Sequence, residues 1–81
     1  MSTENKKNIV KMATIYSQEG KWDKAVLEYK KLITLDPTDY NVHNMLGDAY
    51  SKKGDDGQAY TEYIMAAEAY AKQGLQDKAQ I

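Results

Sequence analysis

MATIYSQEGKWDKAVLEY at residues 12–29 matches LGDAYSKKGDDGQAYTEY at residues 46–63, and this match decides the fold. A shift of 34 residues places aromatic on aromatic and small on small: Tyr16 on Tyr50, Gly20 on Gly54, Ala25 on Ala59 and Tyr29 on Tyr63. Periods of this size are typical of stacked supersecondary units, which bury their apolar faces only against neighbours. The repeat therefore favours a binding scaffold over a catalyst.

Apolar residues at helical spacing predict four helices and no strand. Gly20 and Gly54 are expected to end the first and third helices, and Asp36-Pro37 ends the second. The third helix should bury Val42, Met45, Leu46, Ala49 and Tyr50. In the fourth helix, the side chains expected to face inward, wholly or in part, are Ala59, Tyr60, Tyr63, Ile64, Ala66, Ala67 and Tyr70.

Glycine 74 is expected to break the fourth helix after about 16 residues, so that residues 75–81 begin a short fifth helix. The turns between helices are short. Short connections make neighbouring helices antiparallel, and the sequence therefore predicts an all-α chain of helix–turn–helix repeats.

Composition excludes several classes of function. The 81 residues carry a net charge of −1, which argues against nucleic acid as a partner. There is no cysteine for a disulfide, a thiolate zinc site or a nucleophile. No apolar run approaches the ~18 residues that span a bilayer, so no membrane partner is expected and a cytoplasmic protein is the simplest interpretation.

Charge is unevenly distributed along the chain. Residues 1–31 contain seven lysines and four acidic residues, a net charge of +3, whereas residues 32–81 contain four lysines and eight acidic residues, a net charge of −4. This asymmetry is either an ordinary solvated surface or a means of steering an acidic partner.

The sequence predicts no catalytic, cofactor-binding or metal-binding residue, and an enzyme is not expected. His43 is the chain's one histidine, and only Asp39 stands near it at helical spacing, so a packing role is favoured over a metal ligand. Asp55-Asp56-Gly57 lacks the alternating oxygen ligands of a calcium loop, so a turn with a helix cap is favoured.

The residues that match across the shift resemble the tetratricopeptide repeat (TPR). The first unit, about residues 6–39, has Ile9, Met12-Ala13, Tyr16, Gly20, Trp22, Ala25, Tyr29 and Pro37 at the motif positions. The second, about residues 40–73, has His43, Leu46-Gly47, Tyr50, Gly54, Ala59, Tyr63 and Ala66. It departs from the motif at Asp56, where an aromatic residue is expected, and at Ala71, which replaces the closing proline.

The resemblance implies a single domain over residues 1–81, built as a short right-handed α-solenoid of about two units plus a C-terminal helical extension. Residues 74–81 would form a short C-terminal helix or the start of a truncated third unit. In the family, the first helices of successive units line a concave surface that binds a peptide or helix of a partner protein. Candidate contacts on that surface are Val10, Thr14, Ser17, Asn41, Asn44, Asp48 and Ser51.

An alternative is that the chain serves as a self-assembly element of a larger multi-repeat protein. Homo-oligomerisation would then use the terminal helices, because short repeat arrays leave apolar surface at their ends. The apolar residues left over on the last helices are Tyr60, Ile64, Met65 and Leu75, which either pair with a second copy or pack against the C-terminal residues.

Overall fold

The computed structural model describes residues 3–79, and over that range the chain is helical with no strand. Four helices follow one another: α1 (Thr3–Gln18), α2 (Trp22–Leu35), α3 (Tyr40–Lys53) and α4 (Asp56–Ala79). Each helix packs extensively against the next in the chain, so the molecule is a short stack of antiparallel helices. The predicted all-α helix–turn–helix fold is confirmed.

The two repeat-matched glycines form the turns after α1 and α3. Gly20 has φ of 73° and Gly54 has φ of 92°, a left-handed conformation that side chains with a Cβ rarely adopt. The α3 N-terminus is capped by Asp39, whose carboxylate accepts a hydrogen bond from the Val42 amide at 3.2 Å. Asp55 caps α4 in the same way, through the Gln58 amide.

The core lies where α1, α2 and α3 meet, with a smaller contribution from α4. It alternates small and large side chains, which lets helices approach closely and still fill the space between them. Its buried members are Ala13, Ala25, Val26, Tyr29, Leu32, Val42, Leu46, Ala49, Tyr50 and Ala59.

Helices α3 and α4 approach each other closely at Gly47. A Cβ atom added there would lie 2.7 Å from the Tyr63 ring, nearer than real Cβ contacts allow. The ring of Tyr63 therefore occupies the space that a larger residue at position 47 would need.

The prediction that Gly74 ends the fourth helix was wrong. Helix α4 is 24 residues long and continues through Gly74 to Ala79, so residues 74–79 are not a separate short helix. A glycine inside a helix costs only about 1 kcal/mol, and no proline follows to prevent the next turn. Residues 80–81 lie outside the described part of the chain, and a truncated third unit stays a prediction.

The inward face of α4 was also predicted too broadly. Only Ala59 and Ala66 of the expected set are buried, whereas Tyr60, Tyr63, Ile64, Ala67 and Tyr70 are exposed. Among residues 3–79, α3 is the only helix that packs extensively on α4, so one side of α4 is covered. Met45 of α3 is likewise exposed, as are Met65 and Leu75. The pairing of Met65 and Leu75 with a second copy or with the C-terminal residues stays a prediction.

Candidate binding surface

The candidate contact residues lie on the outer sides of α1 and α3, as predicted from helical spacing. One of them, Ser17, is half-buried, and the others are exposed: Val10, Thr14, Asn41, Asn44, Asp48 and Ser51. Exposure alone does not make these side chains equivalent, because several already bond other atoms of the protein.

The polar candidates of α1 are engaged internally. The Ser17 hydroxyl is hydrogen-bonded to the Tyr29 hydroxyl of α2 at 2.9 Å. The Thr14 hydroxyl donates to the Val10 carbonyl one turn earlier, at 2.8 Å. Both groups therefore stabilise the fold and are less available to a partner.

Asp48 of α3 is held by α4. Its carboxylate accepts a hydrogen bond of 2.5 Å from the Tyr63 hydroxyl. This bond, together with burial and the negative charge of Asp48, raises the pKa of Tyr63 above its ordinary value of 10.0. The Tyr63 ring is thus fixed at both ends, against Gly47 and at Asp48.

Asn44 is placed differently, at the edge of an open groove of about 420 Å³ between α3 and α4. Its other walls are the aromatic and small residues Tyr40, Tyr63, Ala66, Ala67 and Tyr70. Tyr40 and Tyr70 meet edge to face, with ring centroids 5.1 Å apart. Within the described part of the chain, the amides of Asn41 and Asn44 have no hydrogen-bond partner.

This arrangement suits recognition of a polypeptide backbone. A side-chain amide offers both a donor and an acceptor, the pair that an extended peptide presents in return. The neighbouring tyrosine rings offer apolar area with polar edges, which is typical of binding surfaces. Among the described residues that line the groove there is no histidine, lysine or carboxylate.

A second polar feature, which the sequence did not predict, is a buried contact between α3 and α4. His43 is nearly inaccessible, with Nδ1 2.8 Å from Glu62 Oε1 and Nε2 2.8 Å from the Pro37 carbonyl oxygen. Burial opposes charge on the imidazole, but the bonds with Glu62 and Pro37 outweigh it and raise the pKa of His43. The predicted packing role of His43 thus includes a specific polar contact.

No sequence rule could have paired these two residues. Positions 43 and 62 lie on different helices, and their contact depends on how α3 and α4 cross. The one available signal was that a buried histidine needs partners for both ring nitrogens.

No three histidine, aspartate or glutamate side chains of residues 3–79 gather closely enough to hold a metal ion. Over the same residues, no helix is both long and apolar enough to cross a membrane.

Comparison with known families matches residues 13–54, half of the chain, to the TPR repeat. The chain therefore belongs to the TPR family, and the resemblance noted in the sequence is confirmed. Repeats of this family are in general non-catalytic scaffolds that bind other proteins. Comparisons with curated proteins and with solved structures gave no significant match.

Proposed function

We propose that this protein is a non-catalytic module that holds an extended peptide segment of a partner protein against the exposed side of α1 and α3 and in the adjoining groove between α3 and α4. Asn44 is the central contact, with Asn41 beside it one turn earlier. The observation that carries the proposal is the position of Asn44, an exposed amide beside an apolar groove, with no internal hydrogen-bond partner in residues 3–79.

Each part of the groove has a role in this proposal. The Asn44 amide bonds the peptide backbone, while the rings of Tyr40 and Tyr70 contact an apolar side chain of the peptide. Thr14, Ser17 and Asp48 contribute shape more than hydrogen bonds, because their polar atoms are already engaged. Recognition through backbone atoms tolerates many sequences, so the apolar side chain supplies the specificity.

The test begins with peptides selected from a displayed random library against the wild-type chain. Their affinities are then measured for Asn44→Ala and, as a matched control, for Gln58→Ala, which removes an exposed amide at the start of α4. Loss of one hydrogen bond worth about 0.5–1.5 kcal/mol should weaken binding roughly two- to tenfold in Asn44→Ala only.

Thermal unfolding of both variants checks that the fold is unchanged, since neither side-chain amide has a hydrogen-bond partner in the described residues. Equal affinity of the selected peptides for Asn44→Ala and for the wild-type chain would refute the assigned groove.

A further inference from the structure

We propose that copies of this chain stack head to tail. Helix α1 of one copy packs on helix α4 of the next copy, in the same way that α3 packs on α2 within one chain. The inference goes beyond peptide binding, because it concerns contacts between copies at the two opposite ends of the helix stack. It rests on a comparison of equivalent positions in the two repeat units.

The first surface is the uncovered side of α4. The 34-residue shift places α2 on α4, so that Val26 corresponds to Tyr60 and Tyr29 to Tyr63. Val26 and Tyr29 are 5% and 7% exposed in a helix that packs on both α1 and α3. Tyr60 and Tyr63 are 68% and 38% exposed. Helix α4 therefore presents apolar side chains where α2 has its buried ones.

The second surface is the matching side of α1. The same shift places α1 on α3, and Leu46, Ala49 and Tyr50 of α3 are at most 6% exposed. Their counterparts on α1 are only half-buried: Met12, Ile15 and Tyr16. Helix α1 thus lacks, on one side, the neighbour that α3 has in α2.

The two surfaces fit each other because the repeat already contains their contact. Helix α3 packs on α2 within the chain, and α1 and α4 are the repeat equivalents of α3 and α2. A second copy translated along the stack would therefore reproduce an interface that this sequence forms internally. Stacking of repeat units through nearest-neighbour contacts is the physical basis of such arrays.

Charge favours this pairing over the symmetric alternative. Helix α1 contains three lysines and one glutamate, a net charge of +2. Helix α4 contains four acidic residues and two lysines; Glu62 is paired with His43 of α3, and the other five charged residues carry a net charge of −1. An α1–α4 contact brings opposite charges together, whereas two α4 helices facing each other would repel.

Stacking leaves the peptide-binding residue accessible. The counterpart of Asn44 in the first unit is Val10, which remains 44% exposed although α3 is in place beside its unit. Asn44 should stay similarly open when a second copy covers Tyr60, whereas Tyr63 belongs to both the groove and the proposed α4 contact. Peptide affinity is therefore measured on Tyr60→Lys, which leaves the groove residues unchanged and should remain a single chain, so that failure of one proposal does not imply failure of the other.

A head-to-tail contact does not close on itself, so it should produce masses that increase with concentration. Sedimentation of the wild-type chain between about 10 µM and about 1 mM should show growth beyond the 9.2 kDa single chain. A single 9.2 kDa species over that whole range would overturn the proposal.

Two variants block one end each. Tyr60→Lys places a cation on α4 against the basic α1 of the next copy, and Ile15→Glu places an acid on α1 against the acidic α4. Each variant alone should remain a single chain. An equimolar mixture should form a 1:1 dimer, because one variant keeps its α1 surface and the other keeps its α4 surface.

The control is Leu27→Lys, which removes an exposed apolar side chain from α2, outside both surfaces. It should associate like the wild type. If Ile15→Glu fails to fold, as judged by circular dichroism, Asn8→Glu replaces it, since Asn8 is exposed and corresponds to the buried Val42. Association of the α1-blocked variant by itself, without a gain on mixing, would show symmetric α4 pairing and overturn the head-to-tail arrangement.

Discussion

Nδ1 of the buried His43 in α3 lies 2.8 Å from Oε1 of Glu62 in α4, while Nε2 of the same ring lies 2.8 Å from the Pro37 carbonyl oxygen. Both ring nitrogens thus face an acceptor, and only the protonated imidazolium donates from both. The pair joins three parts of the fold: the turn after α2, the helix α3 and the helix α4. It stabilises the contact between the last two helices in a charge-dependent way.

Stability should therefore fall as pH rises. The pKa of His43 is raised above its ordinary value of 6.5, so the folded chain binds a proton more tightly than the unfolded chain. The extra stability is fully present below the unfolded pKa of about 6.5 and is lost as pH rises through the higher folded pKa. Urea unfolding measured across this window should show a declining free energy of unfolding.

The control for this prediction is His43→Gln. The chain has no other histidine, and histidine is the one side chain whose ordinary pKa lies in this range. The variant should be less stable and should lose most of the pH slope. A wild-type stability that rises with pH through the same window would contradict the assignment.

Replacing Glu62 by Gln should destabilise the protein most at acidic pH. The change leaves the imidazolium buried without its carboxylate, at a cost of about 1–3 kcal/mol. The matched control is Glu68→Gln, which neutralises an exposed carboxylate on the same helix. Denaturant unfolding near pH 6 should separate the two variants, and equal stabilities would mean that the buried pair contributes little.

Gly47→Ala should destabilise the α3–α4 contact. Its Cβ would stand 2.7 Å from the Tyr63 ring, which the bond to Asp48 restrains, so overpacking should cost about 1–3 kcal/mol. Gly74→Ala is the opposite case, since a Cβ there meets nothing within 4 Å. Alanine at position 74 should stabilise α4 by about 0.5–1 kcal/mol. Thermal unfolding compares both, and a more stable Gly47→Ala would refute the close contact.

The Tyr63 hydroxyl should titrate at higher pH than an ordinary tyrosine. Its hydrogen bond to Asp48, its burial and the nearby negative charge all raise the pKa of Tyr63 above 10.0. Asp48→Asn removes the charge and should lower that pKa toward its ordinary value. Ring resonances followed by NMR against pH report each tyrosine separately. The same titration midpoint in both proteins would show that the bond is absent in solution.

The repeat is sufficient to predict the four helices and most of the core from the sequence alone. Gly20 and Gly54 end helices because only glycine readily adopts their left-handed conformation, a local property that is visible in sequence. The inner face of α3 followed from helical spacing, with Met45 as the exception. The failure at Gly74 has a physical reason, since one glycine weakens a helix without forcing it to end.

The candidate surface was predictable only in outline. Helical spacing correctly predicted that Val10, Asn41 and Asn44 are exposed. It did not show that Ser17 is hydrogen-bonded to Tyr29 and Asp48 to Tyr63. These bonds join different helices, across separations of 12 and 15 positions in the sequence. Such contacts depend on the distance and angle between helix axes.

The sequence by itself determined the repeat, the helix order and the TPR family, because those follow from the local spacing of apolar residues, glycines and proline. Tertiary structure alone decided that His43 finds Glu62, that Tyr63 fills the space beside Gly47, and that α4 keeps an uncovered apolar side. These features depend on how neighbouring helices cross and on which helix sides receive a neighbour. Periodicity marks the apolar side of a helix, and packing decides whether that side is covered.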